Sequence, residues 1–259
     1  AMITGNTIRD NSSYGIYALN GSSPTVSGNS ITGSGNMAIY LDITSAGTTV
    51  SGNTLTDNGG DGVYVGGGTL DRDVTWAVDV PYVLAGGAVT VAEGVVLTLP
   101  PGAVIKGQTS GRLVVNGTLL ADGTAEAPIV FTSYKDDSVG GDTNGDADAS
   151  SPAARDWIGV GFASTSTGNV LDHAVLRYAG ASGRNNNFGT SGLYTASSGL
   201  TVSASTISDN SNTGIYVENA SPTITGSVVE GSDIGIRLIG SNAMITGNTI
   251  RDNSSYGIY

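Results

Sequence analysis

Residues 1–17 read AMITGNTIRDNSSYGIY, and residues 243–259 read AMITGNTIRDNSSYGIY. The seventeen positions agree without a substitution, at an offset of 242 residues. Such agreement marks one period of a tandem array plus a short overlap, and a repeat of that kind decides the architecture before any local pattern does. Within the stretch, Ile3, Ile8 and Ile16 are the apolar landmarks, at i, i+5 and i+13. Around them stand Gly, Asn, Ser, Thr and Asp, the residues of tight turns.

The triad recurs along the chain. Val26/Ile31/Ile39, Val50/Leu55/Val63, Val202/Ile207/Ile215 and Ile245/Ile250/Ile258 keep its spacing, and Ile224/Val229/Ile236 follows one residue shorter. Adjacent copies start 23, 24, 22 or 21 residues apart. Intervals of five and eight fit no helical period, whereas inside each short run the period is two. Ile16, Tyr17 and Ala18 alternate in, out, in, as do Val63, Tyr64, Val65 and Ile215, Tyr216, Val217. Three short strands per coil of about 22 residues describe an all-β parallel β-helix solenoid. One coil leaves three apolar sides uncovered, so the core exists only by stacking. A leucine-rich repeat would need an L-x-x-L-x-L frame and helical spacing, and neither is present. Parallel crossovers are right-handed by strong preference.

A Gly-Asn pair follows the first strand of the clearest copies and puts Asn6, Asn29, Asn53 and Asn248 at one corner. Asn tolerates the left-handed backbone that a sharp corner needs. Stacked amides can also bond to one another along the axis, as in fibril ladders. These residues are therefore read as a structural corner ladder.

Residues 75–180 lack the Gly-Asn corner but keep the alternation of β runs and turns. The runs VTVAEGVVLTLPPGAVIKG, LVVNGTLLADGTAEAPIVFTSYKDD, GGDTNGDADAS, DWIGVGF and LDHAVLRYAG resemble bacterial right-handed parallel β-helix repeat proteins of large surface-exposed polypeptides. The Gly-Asn coils on either side resemble the pectate-lyase-like β-helix repeat. The resemblance implies a right-handed solenoid outside the cell, and it implies no single activity, because enzymes, adhesins and stalks share the fold. It also implies that the Trp76 segment opens a unit. Residues 1–74 are then the C-terminal coils of one unit, and residues 75–259 most of the following unit, of period 242 residues, with polar loops at 135–156 and 181–192. Whether coils run unbroken through residues 70–87 is open at this level.

Charge and composition exclude several classes. A net charge of −12 with only ten Lys and Arg leaves no basic stripe for nucleic acid and no polybasic segment for lipid headgroups. No apolar run approaches the ~20 residues of a membrane-spanning helix. Cysteine is absent, and with an acidic Gly/Ser/Thr/Asn-rich surface this points to a prokaryotic extracellular or cell-surface protein.

Three groups of residues are candidates for chemistry. Asp136, Asp137, Asp142, Asn144, Asp146, Asp148 and Asp156 concentrate oxygen donors in the loop at 135–156, and positions 142, 144, 146 and 148 keep the every-second-residue spacing of a calcium loop. The glycine of an EF-hand is Ala147 here and its twelfth residue is Ala153, so only the Asp/Asn half is present. The expectation is Ca²⁺; the plainer reading is a solvated acidic loop. Asp172-His173 with Arg177 resembles an Asp-His pair of pectate lyases, but the required partners for lysis or hydrolysis are not evident. Tyr17, Tyr40, Tyr64, Tyr216, Arg237 and Tyr259 share one outward position; through the overlap, in which Tyr259 is equivalent to Tyr17, the axial order is Tyr216, Arg237, Tyr259, Tyr40, Tyr64, a stripe that stiffens the sheet or docks sugar rings or a neighbouring fibre. A Thr-x-Thr ice-binding array is absent.

The expectation is a non-catalytic segment of a long tandem-repeat filament, stalk or adhesin, calcium-stabilised, with identical units end to end. The alternative is a polysaccharide-binding or polysaccharide-degrading β-helix.

Overall fold

A computed structural model describes residues 1–182 and 190–259; the predicted loop at 181–192 falls mostly outside them. The chain winds as a parallel β-solenoid of about eleven turns of roughly 23 residues, with three strands per coil. Every strand pairing among the described residues is parallel, each strand to its counterpart in the next coil. The triads point inward. Val26, Ile31 and Ile39, Val202, Ile207 and Ile215, and Ile224, Val229 and Ile236 are fully buried. Each buried Ile or Val contributes roughly 1.5–3 kcal/mol, and stacking joins them into one continuous core.

One inward column runs without a gap. Ile16, Ile39, Val63, Tyr82, Ile105, Phe131, Leu176, Ile207, Val229 and Ile250 are successive register partners. Coils therefore continue through residues 70–87. The side carrying this column is here the second side; it holds the second strand of every coil from Val104–Gly107 onward.

The other two sides are interrupted at that level. Strands Met2–Thr4, Thr25–Ser27 and Thr49–Ser51 form a sheet of three, as do Thr7–Arg9, Ser30–Thr32 and Thr54–Thr56, while a separate seven-stranded sheet begins at Val74–Thr75. The break is bridged by two long bent strands, Gly60–Leu70 and Tyr82–Val91. Each covers two sides: Val63–Val65 pair with Tyr82–Leu84 on the second side, and Gly68–Leu70 with Val89–Val91 on the third. Gly68 makes the bend possible. Its φ is 149°, and a Cβ there would lie 2.5 Å from the Ile43 side chain. Trp76 and Tyr82 stack at 4.6 Å and 7°, fully buried, and fill the core at the break. The Gly5 and Gly28 N–H groups donate to carbonyls of the next coil, but Gly52 has no such carbonyl and donates to the Asp79 carboxylate instead.

The break changes the phase of the winding. Ile16 and Ile258 occupy the same position in the repeated seventeen residues. Yet the column from Ile16 arrives at Ile250, the counterpart of Ile8, while Ile258 pairs with Ile236 on the third side.

The corner chemistry differs from the expectation in one respect. The left-handed residue is the glycine, not the Asn: φ is 67° at Gly5, 63° at Gly28, 61° at Gly52 and 65° at Gly247. The glycine turns the chain and frees the Asn side chain to point inward. There the expected ladder forms: Asn6 Nδ2 donates to Asn29 Oδ1 at 3.0 Å, and Asn29 Nδ2 to Asn53 Oδ1 at 2.9 Å. The Asn248 amide oxygen accepts from the Ser227 N–H, so Ser takes the Asn place in the preceding coil. A second corner repeats the device with Asp10, Asp57, Asp209 and Asp252 left-handed, and Asn58, Asn210 and Asn253 bonded inward to strand carbonyls.

Candidate functional site: an acidic lid and two tyrosine columns

The longest described excursion leaves the second side after Ile129–Ser133 and rejoins the solenoid at Gly159–Phe162. It is not a loop standing in solvent. It folds back over the outward face of the second side, where Tyr64, Val83, Lys106 and Thr132 are register neighbours on four coils and all are fully buried. The Thr143 carbonyl accepts from the Asp61 N–H and from the Tyr64 hydroxyl, each at 3.0 Å. The Tyr64 and Tyr134 hydroxyls bond to each other. Lys106 Nζ donates to the Gly141 carbonyl at 2.7 Å. The lid is thereby pinned to coils 35 to 79 residues away in sequence by its side-chain bonds, and Tyr64 is covered rather than part of an exposed stripe.

The seven predicted oxygen donors divide. The Asp136 carboxylate is buried and held by Arg177 at 2.7 Å, with Thr132 and Ser138 hydroxyls beside it. Burial alone would raise its pKa, but the Ser138 and Thr132 hydroxyls and the Arg177 charge outweigh that and hold it below the usual carboxylate range. Asp156 pairs with Lys135 at 2.9 Å and accepts from Ser133. Asp148 is exposed and joins no cluster. Asp137, Asp142 and Asp146 do come together, with one carboxylate oxygen of each within 4.8 Å of the others.

Among the described residues, three enclosed oxygens of this segment have no hydrogen-bond donor: Asp137 Oδ1, Asn144 Oδ1 and Asp146 Oδ1. Asp142 is oriented by the N–H groups of Asp146 and Ala147, with Ala147 left-handed at φ 53° in the place of the EF-hand glycine. Burial, then the Asp142 charge, push the Asp137 carboxyl up. Three converging carboxylates, with enclosed oxygens that no donor satisfies, match the ligand chemistry of a hard divalent cation. Lys106 lies on the floor beneath them, and burial brings its pKa down to about 8 against the pull of Asp137, Asp136 and Asp142. It is the residue that pattern reading missed. Its only signal is a Lys in an outward strand position of a chain with few lysines.

Within this chain the tyrosines occupy two columns. Tyr17, Tyr40 and Tyr64 are register partners on the second side. Tyr194, Tyr216 and Arg237 are partners on the third, with the Arg237 guanidinium 5.3 Å from the Tyr216 ring and 5.5 Å from that of Tyr259. Tyr194 was not predicted, although Leu193-Tyr194-Thr195 has the same in-out-in pattern; the spacing there is disturbed by the preceding loop. The Glu218 carboxylate accepts from both Tyr194 and Tyr216 hydroxyls. Tyr14 stacks on Tyr17 at 4.5 Å.

The Asp-His candidate keeps its pair, while Arg177 is turned to other partners. His173 sits at a corner with φ 46°, the counterpart of the Gly-Asn glycine, and its Nδ1 lies 2.7 Å from Asp172. Arg177 is engaged by Asp136 and Ser138. An open groove of about 740 Å³ runs beside the lid and carries Asp57, Asp61, Asp79 and Asp142 on its walls. Its lining holds no aromatic platform for a sugar ring.

The family described as Right handed beta helix region matches residues 1–75 and 184–259, and the one described as Pectate-lyase like beta helix domain matches residues 68–215. The pectate-lyase-like description thus falls on the middle of the chain rather than on the Gly-Asn coils that suggested it. No curated protein and no solved structure gives a significant match.

Proposed function

The chain belongs to the right-handed β-helix family, and from that membership we propose a structural, non-catalytic segment of a long tandem-repeat filament, stalk or adhesin on a prokaryotic cell surface. The observation that carries this reading is the repeated coil. The same seventeen residues recur at an offset of 242 residues. Within the molecule the triads Val26, Ile31 and Ile39, and Val202, Ile207 and Ile215, are fully buried by the coils stacked on either side of them, so a core of this kind lengthens by adding coils.

A chain of two units tests this. It should scatter as one straight rod, longer than the single unit by about 45 Å at the strand spacing of the stacked coils, and unfold in one transition. Two bodies flexing about a joint would overturn the reading.

We also propose that the lid binds Ca²⁺ through Asp137, Asp142, Asp146 and Asn144, the orphaned oxygens being the support. A second reading, a polysaccharide-binding surface, is favoured by the groove beside the lid. Its carboxylates repel a uronate chain unless a cation bridges the two, and admit a neutral one. Calorimetric titration with neutral and uronate oligosaccharides, with and without calcium, decides it: absence of heat with both removes this reading.

A further inference from the structure

We infer that successive units of the array are turned by one side of the three-sided solenoid, so that the acidic lid is displayed on all three sides of the filament in rotation. The inference rests on the tandem reading above and adds to it a geometry. Its basis is the ladder on the second side. From Ile16 the register partners lead through nine steps to Ile250, each step being one complete turn of the chain. Ile250 is the repeat of Ile8, not of Ile16. The repeat of Ile16 is Ile258, one strand further on and one side round, paired to Ile236. A unit is therefore nine turns and one side long, not a whole number of turns.

The extra side is created at the break. Strand Gly60–Leu70 and strand Tyr82–Val91 each run round a corner, so the column entering as the third strand of the first coils leaves as the second strand of the later ones. The two three-stranded sheets that stop there are the other mark of the same shift.

The surface follows. The lid covers the second side in one unit, because Tyr64, Val83, Lys106 and Thr132 lie beneath it there. In the next unit the equivalent column is the continuation of Tyr194, Tyr216, Arg237 and Tyr259 on the third side. The two tyrosine columns of one chain thus become one column across the junction: Tyr259 holds the place of Tyr17, and Tyr40 and Tyr64 follow it. The lid of the next unit closes over the far end of that column. After three units the pattern returns to its first side, about 135 Å along the axis at the strand spacing. A neighbouring copy, or any partner lying straight along one side, meets the lid once in three units. A partner that recognises the lid finds it from three directions.

A chain of three consecutive units, with Asp148→Cys in each lid and a maleimide gold label, tests this by electron microscopy. The wild-type chain has no cysteine, so the label reports the lid alone. The expected image is a straight rod with three labels spaced about 45 Å along the axis and a third of a turn apart around it. Labels in line along one edge of a straight rod would overturn the rotation and leave the filament standing. A rod broken at the unit junctions would overturn the filament itself and the rotation with it. Unlabelled wild-type rods, imaged for the density of the lids, give the same readout should the variant fold poorly.

Discussion

Lys106 is an ammonium beneath an acidic lid, fully enclosed, and donates to the Gly141 carbonyl. Burial disfavours its charged form and lowers its pKa from 10.5 to about 8. The unfolded chain therefore binds a proton that the folded chain has released between roughly pH 8 and pH 10.5, and stability rises with pH across that window. The slope reaches at most about 1.4 kcal/mol per pH unit. Above pH 10 the sign reverses: burial holds Tyr64 and Tyr82 protonated in the folded state, Tyr82 up to about 12, so the unfolded chain loses protons first. Urea midpoints with a chelator present should climb from pH 8 to about 10 and then fall. Lys106→Met should abolish the climb and keep the fall. A wild-type midpoint flat from pH 8 to 10 would show that Lys106 titrates normally.

At the scale of elements, the lid is held by three kinds of contact: the Tyr64–Tyr134–Thr143 hydrogen bonds, the Arg177–Asp136 pair and the Lys106–Gly141 bond. None of these needs a cation, whereas the Asp137, Asn144 and Asp146 oxygens lack a donor. Calcium at tens of times its dissociation constant contributes about 2 kcal/mol, and a chain of this size gains roughly 2–4 °C in melting temperature per kcal/mol. The wild type should therefore melt several degrees higher in 10 mM calcium, a concentration set against the roughly 10⁻⁴–10⁻³ M affinities of extracellular calcium modules. Asp137→Asn with Asp146→Asn should remove that gain. Without calcium the double variant should be as stable as the wild type or more so, since two repelling charges are gone. A wild-type melting temperature indifferent to calcium would refute the site. The acidic run at 142–148 suggested this chemistry, but the spacing could not separate Asp137, Asp142 and Asp146 from Asp136 and Asp156. That division is made by Arg177 and Lys135, whose approach depends on how the coils stack.

Over the whole molecule, strand alternation and triad spacing made the solenoid legible. Each triad is local, and the inward direction of Ile3, Ile8 and Ile16 follows from period two alone. Tyr216, Arg237 and Tyr259 were likewise placed on one column by their offset from the inward residue. Tyr17, Tyr40 and Tyr64 share that offset but lie on another side, because the bent strands between Gly60 and Val91 shift the count by one strand. The triad has no counterpart in that stretch, so spacing could not register the shift. The second corner ladder was there to be found: Asp10-Asn11, Asp57-Asn58, Asp209-Asn210 and Asp252-Asn253 recur as regularly as Gly5-Asn6.

The amino-acid sequence by itself determined the coil: its length, its inward residues, its corner glycines and amides, and its repetition. Those are set by contacts between residues a few positions apart or one coil apart, where periodicity is the physics. Only the tertiary structure decided which side each column occupies, what the acidic segment covers and which carboxylates are left without partners. Those depend on contacts such as Tyr64 with Thr143 and Arg177 with Asp136, across 79 and 41 residues. No local period encodes such separations, because they are set by the cumulative turning of the chain.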